Sequence, residues 1–228
     1  DREEEINSIV PEEYWNLEAV FQVSGKKKPL VAKLSSSKKV VRSEAEMNEI
    51  LAKLAKAEFV VDEIKKSERI RKAPLPFTTS TLQQEAAKAL NFSTKKTMQL
   101  AQQLYEGVDV KGHGTVGLIT YLRTDSIRIS DEADRAVKDY IKENYGEPFV
   151  SKIENAGRTG KKIQDAHEAI RPTYVEFTPA MVKESLGRDQ YRLYQLIWKR
   201  FVASRMEPAK YETTSLRIKA DNYKFTTS

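Results

Sequence analysis

Two prolines separated by one residue, in Ala73-Pro74-Leu75-Pro76, divide the chain into two lobes. Proline fixes its own φ, lacks a backbone N–H and disfavours helical backbone in the residue before it, so neither a helix nor a paired strand continues through this segment. Before it, short alternating apolar patterns indicate strands, and after it patterns with helical spacing dominate. The sequence therefore predicts an α+β fold in which a mainly helical lobe is inserted into a β-containing lobe.

Short alternating segments predict the strands of the β-containing lobe. They lie on both sides of the helical lobe, at 17–23, 30–34, 59–64, 211–218 and 223–227. The first two flank a basic turn and indicate a hairpin, and a helix with a capping-box pattern begins at Ser43. We therefore expect a discontinuous arch lobe of residues 17–72 and 173–228, preceded at 1–16 by the end of a helical domain that starts before the chain.

The inserted lobe, residues 73–172, carries apolar residues at helical spacing. The candidate N-caps are Thr79 or Ser80, Ser93 or Thr94, and Ser130, and the patterns predict helices that run from them to about residues 90, 105 and 145. A short helix is expected to end at Arg171-Pro172. A glycine-rich connector at 107–117 leads into a strand-like segment at 117–126. Beyond this lobe, two more helices are expected near residue 178 and over 189–206.

Composition limits the function classes. The 39 lysine and arginine residues exceed the 33 acidic residues, and the resulting net charge of +6 fits a polyanionic partner. The absence of cysteine excludes disulfides and thiolate metal sites, which is compatible with a reducing cytoplasm. No apolar run approaches the roughly 18 residues of a membrane helix, so we expect no membrane partner.

The segment 117–126 places a tyrosine two residues before an arginine. In extended backbone Tyr121 and Arg123 point to the same side, so the hydroxyl and the guanidinium can converge on one anion. A fixed positive charge favours the phenolate, and a guanidinium can bind two phosphate oxygens in parallel. This pattern indicates a tyrosine that attacks phosphate, although a strand aromatic beside a solvated arginine has the same tripeptide.

Five segments together resemble the bacterial type IA DNA topoisomerases. They follow that family's order and spacing, at 76–86, 97–106, 117–126, 166–172 and 193–198. One of them reads Ala-His-Glu-Ala-Ile-Arg-Pro and contains His167. The similarity runs along the whole chain and implies the central part of such an enzyme, without its N-terminal magnesium-binding domain and its C-terminal domains. It also implies that the helical lobe carries the nucleophile.

The resemblance implies a reaction. Tyr121 would attack a phosphodiester of single-stranded DNA and form a 5′-phosphotyrosine, another strand would pass, and negatively supercoiled DNA would relax. Arg123 and His167 would contact the scissile phosphate. The resemblance also implies that an Asp-x-Asp-x-Glu cluster of a separate domain holds Mg²⁺, and this chain has no such pattern. We therefore expect no metal on this chain, no activity of the chain alone, weak binding of single-stranded DNA, and a place in the bacterial cytoplasm at the nucleoid.

Further DNA contacts are also implied by the resemblance. Gln102, Glu106 and Thr120 would line a single-strand groove, and Arg171 matches the arginine of the motif around His167. The four-residue spacing of Gln102 and Glu106 puts them on one helix face, which equally suits a solvated face. Basic side chains that could contact backbone phosphates, or only water, are Arg128, Arg158, Lys161 and Lys162.

Two other functions stay open. A noncatalytic nucleic-acid-binding module could use Tyr121 only to stack bases. An integrase-like strand transferase would also attack with a tyrosine, but the His-x-x-Arg pattern that should precede that tyrosine does not occur here.

Two short patterns are interpreted as structural. Asp131-Glu132-Ala133-Asp134 spells a helicase box, but no phosphate-binding Gly-x4-Gly-Lys loop accompanies it, so we expect the acidic first turn of a helix. His113 stands between two glycines without a metal-ligand residue at suitable spacing, so we expect no zinc there.

Overall fold

The computed structural model describes residues 1–35, 40–152 and 167–228. Helices and strands mix along these residues, which confirms the predicted α+β class. The α-helices are α1 (Arg2–Asn7), α2 (Glu44–Leu54), α3 (Thr79–Leu90), α4 (Thr94–Glu106), α5 (Asp131–Tyr145), α6 (Pro179–Val182) and α7 (Arg188–Ala203). The strands are β1 (Glu18–Phe21), β2 (Leu30–Leu34), β3 (Phe59–Arg71), β4 (Val108–Val110), β5 (Gly114–Val116), β6 (Ala209–Ala220) and β7 (Tyr223–Thr227). None of the helices in the described ranges is long and apolar enough to cross a membrane.

The chain divides into two compact units. The sheet unit comprises Asp1–Arg69 and Lys210–Ser228, and the helical unit comprises Ile70–Ala209. The helical unit is therefore inserted into the sheet unit, and it begins a few residues before the predicted proline boundary. The expected return to the β-containing lobe at residue 173 does not match this packing. Residues 173–209 lie in the helical unit because Val175, Leu193 and Phe201 are buried in its core.

The sheet unit is built on a five-stranded sheet in the order β1-β2-β7-β6-β3. The antiparallel pairing of β1 with β2 confirms the predicted hairpin, and β7 pairs antiparallel with both β2 and β6. Ser43 caps α2, since its hydroxyl accepts a hydrogen bond from the Glu46 backbone N–H at 3.2 Å. The core combines side chains of α2 with those of the sheet, namely Met47, Ile50, Leu54, Ala32, Ile218 and Phe225.

Strand β3 is longer than the sequence predicted. Alternation ends at Ile64, whereas the strand continues to Arg71. Every residue of β3 is exposed, so neither face of its second half requires apolar side chains. The sequence therefore shows no alternation there. Arg217 on the neighbouring β6 contacts Asp62 at 2.8 Å and Glu63 at 2.5 Å, so the two strands are joined by ion pairs as well as by the sheet.

The described residues of the helical unit form one buried cluster, to which α3, α4, α5 and α7 contribute. Ser93 and Ser130 cap α4 and α5 as predicted, each accepting a backbone N–H of the first turn at 3.2 Å. Helix α3 is capped by Thr78, not by the expected Thr79 or Ser80. The predicted connector at 107–117 contains the antiparallel hairpin of β4 and β5, which is too short for an alternation signal.

The acidic first turn of α5 has a structural role beyond the helix dipole. Asp134 is only 7% exposed, and its carboxylate oxygens contact Arg205 Nε at 2.7 Å and Lys138 Nζ at 2.8 Å. The helix start was predicted, but the burial was not, because nothing in the local pattern identifies Arg205 as a partner.

We predict that Asp134→Ala lowers the free energy of unfolding by about 3 kcal/mol, because it removes the buried carboxylate that contacts both Arg205 and Lys138. Chemical denaturation of the chain measures this loss. Glu132→Ala, in the same turn but exposed, is the control and should change the free energy by no more than about 0.5 kcal/mol. Equal losses for the two variants would contradict the structural role of Asp134.

Candidate active site

The Tyr121 segment is not a strand, and Leu122 and Arg123 lie in a bend, so the predicted strand is wrong. Among the described residues its one β-bridge is the isolated bridge between Ile119 and Pro172. The expected alternation of side chains is nevertheless present, because Leu122 is 1% exposed while Tyr121 is 41% exposed and Arg123 is also exposed. Tyr121 and Arg123 therefore both face solvent, and the buried Leu122 lies between them.

Thr79, in the first turn of α3, holds the backbone on both sides of Arg123. Its hydroxyl donates to the Leu122 carbonyl at 2.7 Å and accepts from the Thr124 N–H at 2.9 Å. Its own N–H donates to the Thr124 carbonyl at 2.9 Å. Because Thr78 provides the helix cap, the hydroxyl of Thr79 is available to fix the segment that presents Arg123.

Thr120 joins the Tyr121 segment to the segment that carries His167. Its hydroxyl donates to the Ala169 carbonyl at 2.7 Å and accepts from the Arg171 N–H at 3.0 Å. Its N–H donates to the Arg171 carbonyl at 2.9 Å. The hydroxyl that the resemblance assigned to a DNA groove is thus occupied by backbone partners within the protein.

The predicted short helix before Pro172 is not formed by the described residues 167–172. The Ala169 N–H instead donates to the Arg128 carbonyl at 2.7 Å, and the Ile170 N–H donates to the Phe77 carbonyl at 2.8 Å. These donors are used by neighbouring segments, so no helical ladder can form there.

Tyr121 is in contact with two other exposed aromatic rings. The His167 imidazole lies 5.8 Å from the Tyr121 ring, centroid to centroid, at an interplanar angle of 33°. The Tyr105 ring, at the end of α4, lies 5.5 Å from it in an edge-to-face arrangement at 68°. The structure therefore brings together the tyrosine and the histidine that the sequence singled out, although 46 positions separate them in the chain.

Comparison with known proteins identifies the family. Residues 1–228 match the family model described as DNA topoisomerase. The chain belongs to the bacterial type IA DNA topoisomerases. The solved structure of full-length topoisomerase I from Thermotoga maritima is 41% identical in sequence and superposes with a TM-score of 0.80. That match covers 100% of the present chain and 35% of the Thermotoga chain, so the present chain spans about a third of its relative.

Arg123 and Arg171 of this topoisomerase chain differ in their partners. Within the described residues Arg123 makes no hydrogen bond or ion pair. Arg171 is bound through Nε and Nη2 to the Glu168 carboxylate at 2.9 and 2.5 Å, and through Nη1 to the Pro172 carbonyl at 3.0 Å. The guanidinium of Arg171 therefore fixes the turn after His167, whereas that of Arg123 is exposed to an external anion.

The α4 residues implied in DNA binding share one helix face, as their spacing predicts. Gln102 Nε2 donates to Glu106 Oε1 at 2.6 Å, and both side chains reach solvent. Tyr105, one position before Glu106, was not predicted as a site residue. The signal that could have identified Tyr105 was its position within the segment 97–106. That its ring touches the ring of Tyr121 is visible only in the fold.

Several expected contacts of the topoisomerase chain cannot be located. Arg158, Lys161 and Lys162, named as phosphate contacts, lie outside the described residues, as does Ala166 of the histidine motif. Arg128 is described and exposed. Within 1–35, 40–152 and 167–228, no group of three or more His, Cys, Asp or Glu residues is arranged to hold a metal ion.

We predict that Thr79→Val destabilises the topoisomerase chain by about 1–3 kcal/mol, because the isosteric change leaves the buried Thr124 N–H without its hydroxyl acceptor. Thermal or denaturant unfolding measures the loss, and tryptic cleavage after Arg123 should become faster as the segment loosens. Thr79→Ser keeps the hydroxyl and should stay close to wild type in both assays. Identical behaviour of the two variants would contradict the anchoring role.

Proposed function

We propose that this chain is the strand-cleaving part of a type IA DNA topoisomerase, with Tyr121 as the nucleophile. The observation that carries the proposal is the contact between the exposed rings of Tyr121 and His167, with the exposed Arg123 two residues after Tyr121 on a hydrogen-bonded backbone. Nucleophilic catalysis needs an accessible oxygen on a rigid backbone. The hydrogen bonds of Thr79 and Thr120 supply that rigidity.

In the proposed reaction the Tyr121 oxygen attacks a phosphodiester of single-stranded DNA. A bond forms between this oxygen and phosphorus, and the bond from phosphorus to the 3′ oxygen of the preceding sugar breaks. The phenol loses its proton, the departing 3′ oxygen gains one, and the 5′ phosphate stays on the tyrosine. Attack by the same 3′ hydroxyl reverses every step, so no hydrolysis and no nucleotide cofactor are needed.

Arg123 and His167 are proposed to bind the scissile phosphate. A guanidinium is charged at all relevant pH values and can hold two phosphate oxygens, so Arg123 both positions the phosphate and stabilises charge that develops in the transition state. The His167 ring, in contact with Tyr121, can donate a hydrogen bond to the same group. Gln102 and Glu106 are proposed to contact the bound strand from α4.

Magnesium is proposed to belong to another part of the enzyme. The family resemblance implies an acidic cluster that holds Mg²⁺, but this sequence has no Asp-x-Asp-x-Glu pattern. The described residues also offer no three-carboxylate group, so they do not fit the ion, which prefers a carboxylate set with several waters. We therefore propose that the chain alone does not cleave DNA.

The wider function follows from the family. Single-stranded and negatively supercoiled DNA are the proposed partners, with relaxation in the bacterial cytoplasm as the proposed activity. The sheet unit is proposed to belong to the arch domain of the enzyme. The second candidate, a noncatalytic module that stacks unpaired bases, is favoured only by the exposed ring cluster of Tyr105, Tyr121 and His167, since such rings also serve as stacking platforms.

We predict that Tyr121→Phe, in the intact enzyme with Mg²⁺, abolishes the covalent protein–DNA adduct and retains DNA binding, because only the attacking oxygen is removed. Denaturing gel electrophoresis of a labelled oligonucleotide detects the adduct. Tyr145→Phe removes the hydroxyl of another exposed tyrosine and should leave the adduct intact. An adduct that persists in Tyr121→Phe would favour a different nucleophile.

We also predict that the chain alone binds a single-stranded oligonucleotide at low salt and releases it as salt rises. Arg123→Ala should lower the slope of log affinity against log salt by about 0.7, the value of one phosphate contact on a single strand. Arg135→Ala removes another exposed arginine of the helical unit and is the control. Fluorescence anisotropy measures both slopes, and the absence of any complex at low salt would count against the DNA-binding role.

A further inference from the structure

A cavity of about 850 Å³ lies in the helical unit, next to the ring of Tyr105, which contacts the ring of Tyr121. Four of its lining residues are aromatic, namely Tyr105, His113, Tyr174 and Phe177. The Phe177 ring meets His113 at 5.1 Å and Tyr174 at 5.6 Å, in both cases edge to face. The volume falls within the range of small-molecule sites, and the rings present flat apolar surfaces.

One wall of this cavity is held by two buried side chains of α7. The Tyr194 hydroxyl donates to the Phe177 carbonyl at 2.5 Å, and Trp198 Nε1 donates to the Val175 carbonyl at 2.9 Å. Burial raises the pKa of Tyr194, so its hydroxyl remains a proton donor across the physiological range. The segment that carries Tyr174 and Phe177 is thus fixed before any ligand arrives.

A glycine at the base of the β4–β5 hairpin brings the opposite wall close to Tyr105. A Cβ atom on Gly117 would lie 2.8 Å from the Tyr105 carbonyl oxygen, so a larger residue could not pass the end of α4 at this distance. The Leu118 N–H donates to the Leu104 carbonyl at 2.8 Å and fixes this approach. Tyr105 consequently faces Tyr121 on one side and lines the cavity on another.

The charge of the residues that line the cavity favours binding of a nucleobase over binding of a phosphate. Among the described residues that line the cavity none is lysine or arginine, and Glu176 contributes a carboxylate. A carboxylate repels a phosphate but accepts hydrogen bonds from the amino or ring N–H groups of a base. Stacking on aromatic rings binds any base, because every base has a π face.

We propose that this cavity binds one unpaired base of the DNA strand whose phosphate reaches Tyr121. The cavity would stack the base against Tyr174 or Phe177 and set which phosphate stands before the nucleophile. This inference rests on the proposed function, because it requires that Tyr121 meets single-stranded DNA.

The test uses single-stranded oligonucleotides that carry the fluorescent base 2-aminopurine at successive positions, bound to the chain. Stacking on an aromatic ring quenches this fluorophore, so one position should be quenched on binding. An abasic site at that position should weaken binding about tenfold, the effect of one stacked base, and abasic sites elsewhere should not.

Tyr174→Leu is the matched variant, since Tyr174 is 53% exposed and Phe177 is its one aromatic neighbour among the described residues. It should lose the quenching and bind about tenfold more weakly, as the abasic substrate does. Tyr145→Leu, another exposed tyrosine of the helical unit, should behave like wild type.

The possible failures are distinguishable. DNA binding without a quenched position, or with no penalty at any abasic site, would overturn the base-binding cavity and leave the nucleophile assignment standing. Failure of wild type to bind DNA would overturn both the cavity and the DNA-binding role. The abasic series is measured on wild-type protein, so the proposal stays falsifiable even if Tyr174→Leu does not fold.

Discussion

The arrangement of the site depends on the hydrogen bonds between Thr120 and the backbone at Ala169 and Arg171. They join two segments about fifty positions apart, and they are formed by a half-buried hydroxyl that is both donor and acceptor. Together with the bridge between Ile119 and Pro172 they hold the segment of His167 beside that of Tyr121, although neither segment is a helix or a strand within the described residues. A buried polar group that loses its partner is costly, so this connection resists opening.

Elements with local signals were predictable from the sequence. The hairpin of β1 and β2 and the capped starts of α2, α4 and α5 were predicted, because caps and turns act within a few residues. The packing of 173–209 in the helical unit and the full length of β3 were not found. Both depend on what lies opposite in space, namely the core around Phe201 and the charged neighbour Arg217.

The same distinction holds for the candidate site. Tyr121, Arg123 and His167 could be named because their family motif is specific, and the structure places the rings of Tyr121 and His167 in contact. The anchors could not be named, because the hydroxyl of Thr79 binds backbone atoms, which every sequence position provides. Thr120 was expected at a DNA groove, but its hydroxyl partners are internal.

The two arginines of the site show how one residue type serves opposite needs. Arg171 is surrounded by the Glu168 carboxylate and a backbone carbonyl, so its charge is compensated within the protein and its position is fixed. Arg123 is exposed and has no partner among the described residues, so in the free chain water solvates its charge. A phosphate that displaces this water gains a charge-assisted contact without breaking an internal one. Because Thr79 fixes the backbone around Arg123, the proposed contact with a phosphate would require little ordering of the chain, and more of the interaction energy would be available for binding.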